Sequence, residues 1–348
     1  ASSDNIFEGE GSLSYYYATL REILRHCLNN YGLSYMSKWR FEVWFKCDED
    51  LTALETPSQY VQKYMGFYNI IKEMLPKCTI GGPGFNMSGL FKDFEQLITN
   101  LEQLKLPLDY ISVSAYCYEL QPHYETQDIS TIGIIAPEPD HIIQKYALYK
   151  SYIEKSWLYN QLPLYITEFG STVSMQNHIS DSLFQATFIC KNMLSLLSSC
   201  ECVAYSFFID TMRSASYFGS VRSFSGLIAE NGIPKPSFHA YSLLNKLGKN
   251  LISSGNHYIM TSDSSNQYQL LFYHYTHFNK NYCFSSWDNV PMENTYDIFN
   301  DEEPFIFHVS CTGLPKGRYK VTQYTLNRNY GSILDKYLRI LNRSNISS

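Results

Sequence analysis

The chain has 348 residues, 45% hydrophobic and 17% charged, which is enough for one large globular domain and a smaller one beside it. Its net charge of −6 and pI near 5.9 leave no basic footprint for nucleic acid, and no apolar run is long enough to span a membrane. No basic stretch followed by an apolar one opens the chain, so no signal peptide is read.

In chain order, residues 13–30 read as an amphipathic helix with Leu13, Tyr17, Leu20, Ile23, Leu24 and Cys27 on one stripe. Residues 39–45 are rich in aromatic and β-branched side chains and read as a strand. Pro57 opens a helix that carries Tyr60, Tyr64, Phe67, Ile70, Ile71 and Leu75. A short strand over 79–82 ends at Gly-Gly-Pro, which reads as a tight turn. Helices follow at 90–104, 141–159, 181–197 and 237–247, and strands at 108–116, 164–168 and 203–208.

Strict strand–helix alternation is the signature of a parallel α/β sheet or barrel. Beyond residue 250 the pattern changes to short alternating segments, at 269–275, 305–310 and 319–325. The chain therefore divides into residues 1–249, a barrel-type domain, and 250–348, a β-sandwich. Five barrel-type strands can be counted, where a closed (β/α)₈ barrel needs eight. The expected fold class is thus α/β, a partial barrel made of the last five strands, followed by an all-β sandwich.

Nine cysteines, at positions 27, 47, 78, 117, 190, 200, 202, 283 and 311, show no zinc spacing, and the nine histidines show no ligand spacing. Gly81-Gly82-Pro83-Gly84 lacks the Lys-Ser/Thr of a phosphate loop. No metal or cofactor is expected. Free thiols in apolar segments suit a reducing, cytoplasmic setting.

Functional residues of barrels sit at the C-terminal ends of strands. Lys46 and Glu168 fall there, and alternation puts Glu42, Trp44 and Lys46 on one face. Trp44 and Tyr116 read equally well as a stacking wall for a sugar or as core. Glu42 is expected to pair with a base in the barrel floor, and Asp48, Glu49 and Asp50 read as a solvated loop.

The segments FEVWFKCDE (41–49), IGGPGF (80–85), LDYISVSAYCYE (108–119), LPLYITEFGSTVS (162–174), residues 224–248 and residues 317–338 together resemble family 39 glycoside hydrolases, the β-xylosidase and α-L-iduronidase group, in the same order. The resemblance starts just before the family's fourth barrel strand, which implies a missing barrel segment or a second chain. It places the catalytic nucleophile on Glu168, which would attack the anomeric carbon. The acid/base glutamate falls on Lys46, and the 2-hydroxyl-binding asparagine on Phe45. A sugar-contacting histidine falls on Ser114. A tryptophan falls near Ser206, with Asp210 matching the aspartate that follows it. The family's TEWN reads Thr167-Glu168-Phe169-Gly170, so Phe169 and Phe45 are expected to narrow the pocket.

The substitutions cluster at the chemistry while the framework matches. The resemblance therefore implies a catalytically degenerate domain that binds or senses a carbohydrate. Such domains occur at the C-terminus of AraC/XylS-type transcription regulators. Nucleic acid would then be met by a region outside this chain. Two further readings stay open: a working retaining β-glycosidase of β-xylosidase type with Glu168 as nucleophile, and a protein-interaction module that binds no sugar.

Overall fold

The computed structural model describes residues 10–45, 55–120, 133–172, 177–210, 225–263, 266–284, 290–300, 306–310, 312–313 and 315–346. Helix α1 (Glu10–Tyr31) and the short α2 (Leu33–Met36) precede strand β1 (Arg40–Glu42). Helix α3 (Pro57–Met74) begins at a capping box. The Thr56 hydroxyl accepts from the Gln59 amide, the Gln59 side chain accepts from the Thr56 amide, and Pro57 sits in the first turn, where no N–H is missed. Then come β2 (Thr79–Asn86), α4 (Phe91–Gln103), β3 (Ile111–Tyr116) and an antiparallel pair, β4 (Tyr118–Leu120) with β5 (Gly133–Ile135). Helix α5 (His141–Ile153), β6 (Leu164–Gly170), α6 (Leu183–Leu196), β7 (Val203–Tyr205), β8 (Phe207–Ile209), β9 (Gly226–Ile228) and α7 (Pro236–Leu244) end the alternating region.

Five of these strands form one parallel sheet in the order β1-β2-β3-β6-β7. Two strands lie between β1 and β6, so in a flat sheet the two would stand about 14 Å apart at the usual interstrand spacing. The Thr167 hydroxyl nevertheless donates to Glu42 Oε1 at 2.6 Å. The sheet is curled so that its inner face closes on itself, as in a barrel. This is a mixed α/β fold with a parallel half-barrel of five strands. The stretch expected as one strand over 203–208 breaks at Ser206. Its first half pairs with β6, and its second half, β8, pairs in parallel with β9.

Strand β2 runs through the Gly-Gly-Pro expected to end it. The two glycines are there for close approach rather than for a turn. A Cβ on Gly81 would meet the Tyr110 ring, and one on Gly82 the Tyr60 hydroxyl, both far inside contact distance. On β3 the outward side chains Ile111, Val113 and Ala115 are fully buried beneath the helices, which is how a strand covered on both faces reads.

Past residue 250, β10 (Asn250–Gly255), β11 (Tyr258–Ser262) and β12 (Tyr268–Phe272) make a three-stranded antiparallel sheet, followed by α8 (Lys280–Cys283) and α9 (Ile333–Ile346). Of the strands expected here, the one at 269–275 is found as β12. Residues 306–310 and 319–325 carry no strand pairing, and Ile306, Val309 and Val321 are exposed. A β-rich composition gives a ladder only where a partner edge lies alongside. Helix α9 was not read from the sequence, although Ile333, Leu334, Tyr337, Leu338 and Leu341 recur at helical spacing. The main core cluster runs from Leu24 to Ile298, so Tyr273, Tyr275, Phe278 and Tyr282 pack in the same core as the half-barrel.

His141, at the head of α5, is 6% exposed and donates from Nε2 to the carbonyl of Tyr118 at 2.9 Å. Burial first, then Lys145 and His277, push its pKa down to about 4. Its folded value lies below its unfolded one, so the unfolded chain takes up a proton that the folded one refuses. Stability is therefore lost as pH falls from about 6.5 to about 4, by about 3 kcal/mol for this group. Urea unfolding at pH 7 and pH 4 should show that excess loss in the parent and not in His141→Gln. An equal loss in both proteins would refute it.

Candidate functional site

The inner face of the half-barrel is set by the register between β3 and β6. Ser112 pairs with Tyr165, Ser114 with Glu168 and Tyr116 with Gly170. Between Val113 and Ser114 the register shifts, because Ile166 and Glu168 oppose consecutive residues of β3 and Thr167 is extra. Such a bulge re-aims a side chain. Plain alternation from the inward Tyr165 would send Glu168 outward. With Thr167 inserted, Thr167 and Glu168 both belong to the inner face.

Glu168 lies half-buried at the C-terminal end of β6, where it accepts a hydrogen bond from the Tyr116 hydroxyl at 2.5 Å. The same hydroxyl is 2.9 Å from Ser206 Oγ, whose single proton is shared between Tyr116 and the carbonyl of Phe169, 3.1 Å away. Burial first, then the charge and hydrogen bond of Glu168, raise the Tyr116 pKa far above the usual phenol value. Tyr116 therefore keeps its proton and remains a donor to the carboxylate. Gly170 completes this corner, since a Cβ there would come within 3.1 Å of the Tyr116 ring. Ser114, 7% exposed, sits beside Glu168 in the ladder.

Trp44 stands at the end of β1 with more than half of its surface exposed, its ring against Gly84. A Cβ at Gly84 would lie 2.8 Å from the indole, and φ there is +67°, so the position is suited to glycine on both counts. The carbonyl of Trp44 accepts from Lys63 Nζ at 2.7 Å, and the same nitrogen pairs with Glu55 at 2.7 Å. Lys63, nearly buried on α3, thus ties Trp44 to Glu55. Sequence reading passed over it because a lysine in a helix carries no mark of its partners.

Three expected site residues are placed elsewhere. Phe45 points to the helix side, edge-on to Tyr60 with ring centroids 5.5 Å apart, as alternation from Trp44 requires. Phe169 is fully buried and stacks on Phe188 of α6 at 5.3 Å, because the bulge that turns Glu168 in turns its neighbour out. Asp210 is buried with Lys235 and Asp181 rather than facing the mouth. Glu42 takes a hydroxyl, that of Thr167, where a base was expected, while the Arg40 guanidinium sits 5.6 Å over the Tyr165 ring. Lys46, with Asp48, Glu49 and Asp50, lies outside the described residues. Ser206, expected only as a tryptophan replacement, proves to be a hydrogen-bonding member of the cluster.

Among the described residues no group of three His, Cys, Asp or Glu side chains could hold a metal ion, and no helix is long and apolar enough to cross a membrane. The seven described cysteines are free. A cavity of about 810 Å³ lies away from the Glu168 cluster, between α6, α7 and β12. Phe184, Phe272, Phe299 and Phe307 are among its walls, and it has no carboxylate in its lining.

The sequence model of glycosyl hydrolases family 39 matches residues 7–294. A β-xylosidase of Geobacillus stearothermophilus is 25% identical over 248 residues, covering 69% of this chain and 47% of that protein. A β-xylosidase of Caldicellulosiruptor saccharolyticus is 25% identical over 235 residues, covering 66% and 45%. Among solved structures, a family 39 enzyme of Xanthomonas axonopodis pv. citri superposes with a TM-score of 0.63 at 21% identity, over 76% of this chain and 51% of that one. A monomeric β-xylosidase of Caulobacter crescentus CB15 gives 0.61 at 20% identity, over 72% and 50%. The chain spans about half the length of the relatives it matches, and at these identities the structural likeness establishes the fold.

Proposed function

The chain belongs to glycosyl hydrolases family 39, and on that premise we propose that it is a carbohydrate-binding domain in which Glu168 faces the sugar and hydrolysis is lost. The observation that carries this reading is the inner-face cluster at the strand ends, with Glu168 held by Tyr116, Ser206 on the far side of that hydroxyl, and Trp44 exposed just past the end of β1. Sugars are bound by stacking on aromatic faces and by hydrogen bonds from fixed polar groups. Lys46 stands in sequence where the family has its acid/base glutamate, and in this reading its ammonium pairs with Glu168. Sensing within a larger regulatory protein, such as an AraC/XylS-type regulator in the cytoplasm, is the role that suits such a site.

Two further proposals concern what surrounds the site. Among the described residues β1 pairs with β2 alone and β7 with β6 alone, so the half-barrel has two free edges. Tyr31, Tyr35 and Trp39 cluster beside the first, with Leu33 exposed next to them. Such edges invite pairing, and a further (β/α) segment, of this polypeptide or another, is the covering that fits them. In the C-terminal region, Tyr268, Leu270 and Phe272 line one open face of β12, the face on which a second sandwich layer would lie.

Calorimetry against xylosides, glucosides and uronides tests the functional reading. One of these classes should bind. Trp44→Ala and Tyr116→Phe should each weaken it by about tenfold, the size of a lost stacking partner or a lost charge-assisted hydrogen bond. Binding undiminished in both variants would show that the sugar sits elsewhere.

A further inference from the structure

Lys235 caps the start of α7 and is fully buried. Its ammonium lies 2.6 Å from Asp181 Oδ1, 3.3 Å from Asp210 Oδ1 and 3.2 Å from Asp210 Oδ2. Both aspartates are buried as well. Asp210 accepts in addition from the Gly226 amide at 2.8 Å. The three charges come from three places in the chain. Asp181 ends the 3₁₀ turn His178–Asp181 on the connection after β6, Asp210 follows β8, and Lys235 leads α7.

Among the described residues one ammonium, that of Lys235, faces both carboxylates. His178 Nδ1 stands 4.0 Å from Asp181 Oδ2, and burial lowers its proton affinity. Burial likewise raises Asp210 above the usual carboxylate range, with Lys235 and the Gly226 amide pulling it back. Taking such charges out of water costs about as much as their attraction returns, so a buried ion cluster adds little net stability over apolar side chains of the same volume. Its consequence is geometric. An ammonium gripped by carboxylates from two connections fixes the distance between them.

Those connections lead back to the inner-face cluster. The one that ends at Asp181 leaves β6, which carries Glu168. Near its start the Ser171 hydroxyl bonds Gln185, whose amide donates to the Tyr205 hydroxyl at 2.9 Å. Strand β8, which Asp210 follows, begins just after Ser206, whose Oγ is 2.9 Å from the Tyr116 hydroxyl.

We propose that Lys235 is a positioning residue for the inner-face cluster. By tying the connection after β6 to the end of β8, it sets the spacing of Glu168 and Ser206 that Tyr116 bridges. Its bearing on sugar binding rests on the reading of Glu168 given above.

Two variants and two readouts test this. Lys235→Met takes the ammonium from two buried carboxylates and should unfold more easily than the parent. The set Lys235→Met, Asp181→Asn and Asp210→Asn removes the tie together with all three of its charges, and it decides the matter should the single variant fail to fold. In that set, amide hydrogen exchange over 164–172 and 203–210 should quicken by about tenfold or more, while β2 and β3 keep the parent's rates, as local rather than global opening requires. Xyloside affinity should fall with it. Uniform quickening, or none, would overturn the proposal, since a purely structural cluster would loosen every strand alike. A parent that binds no sugar, with the local exchange change still present, would remove the functional reading and leave the positioning role standing.

Discussion

Aryl β-xylosides and β-glucosides should show no measurable turnover by this chain. A retaining mechanism needs two carboxyl groups about 5–5.5 Å apart, one to attack and one to cycle a proton. In the proposed reading the first position is that of Glu168, which Tyr116 hydrogen-bonds. By the sequence resemblance the second falls on Lys46, and an ammonium paired with a carboxylate would hold its proton instead of delivering it. General acid/base help is worth roughly 10²–10⁴-fold by itself. Lys46→Glu should restore little of this, because the sequence resemblance implies changes at Phe45, Ser114 and Gly170 as well. An activated 2-deoxy-2-fluoro glycoside needs little acid assistance, so it is the sensitive probe of Glu168 alone, and any label should vanish in Glu168→Gln. Robust turnover by the unmodified protein, abolished in Glu168→Gln, would establish a working β-glycosidase in place of the binding domain.

Phe184→Ala should cost about 3–5 kcal/mol, the range for truncating a buried aromatic. The Phe184 ring, 5% exposed on α6, packs against Phe278 at 4.6 Å, Phe299 at 4.7 Å, Tyr275 at 5.6 Å and Phe188 at 5.8 Å. Three of those partners lie beyond residue 250 and one on the half-barrel helix itself. The ring also borders the cavity between α6, α7 and β12, so truncation enlarges a space already there. Urea unfolding should remain one transition, with a lower midpoint and an unchanged slope, because the shared core couples the two regions. Two separated transitions, or a loss below about 1 kcal/mol, would mean that the regions before and after residue 250 fold independently.

The amino-acid sequence by itself determined the alternation of strands and helices, the five barrel strands and the place of Glu168 at a strand end. These are local signals. Apolar periodicity, Pro57 behind its Thr56 cap and the branched and aromatic runs act within a few residues of one another. Side-chain direction at the site was a matter for the tertiary structure. One extra residue, Thr167, reverses the alternation on β6, so Glu168 turns in to Tyr116 and Phe169 turns out to Phe188. The glycines of β2 read as a turn until the Tyr60 and Tyr110 rings that crowd them are in place. Asp210 looked like a mouth residue until Lys235 and Asp181, distant in sequence, were found around it. Residues 319–325 have the composition of a strand but no edge to pair with among the described residues. Partners brought from far along the chain set direction, burial and pairing, and neither spacing nor residue type encodes which partner arrives.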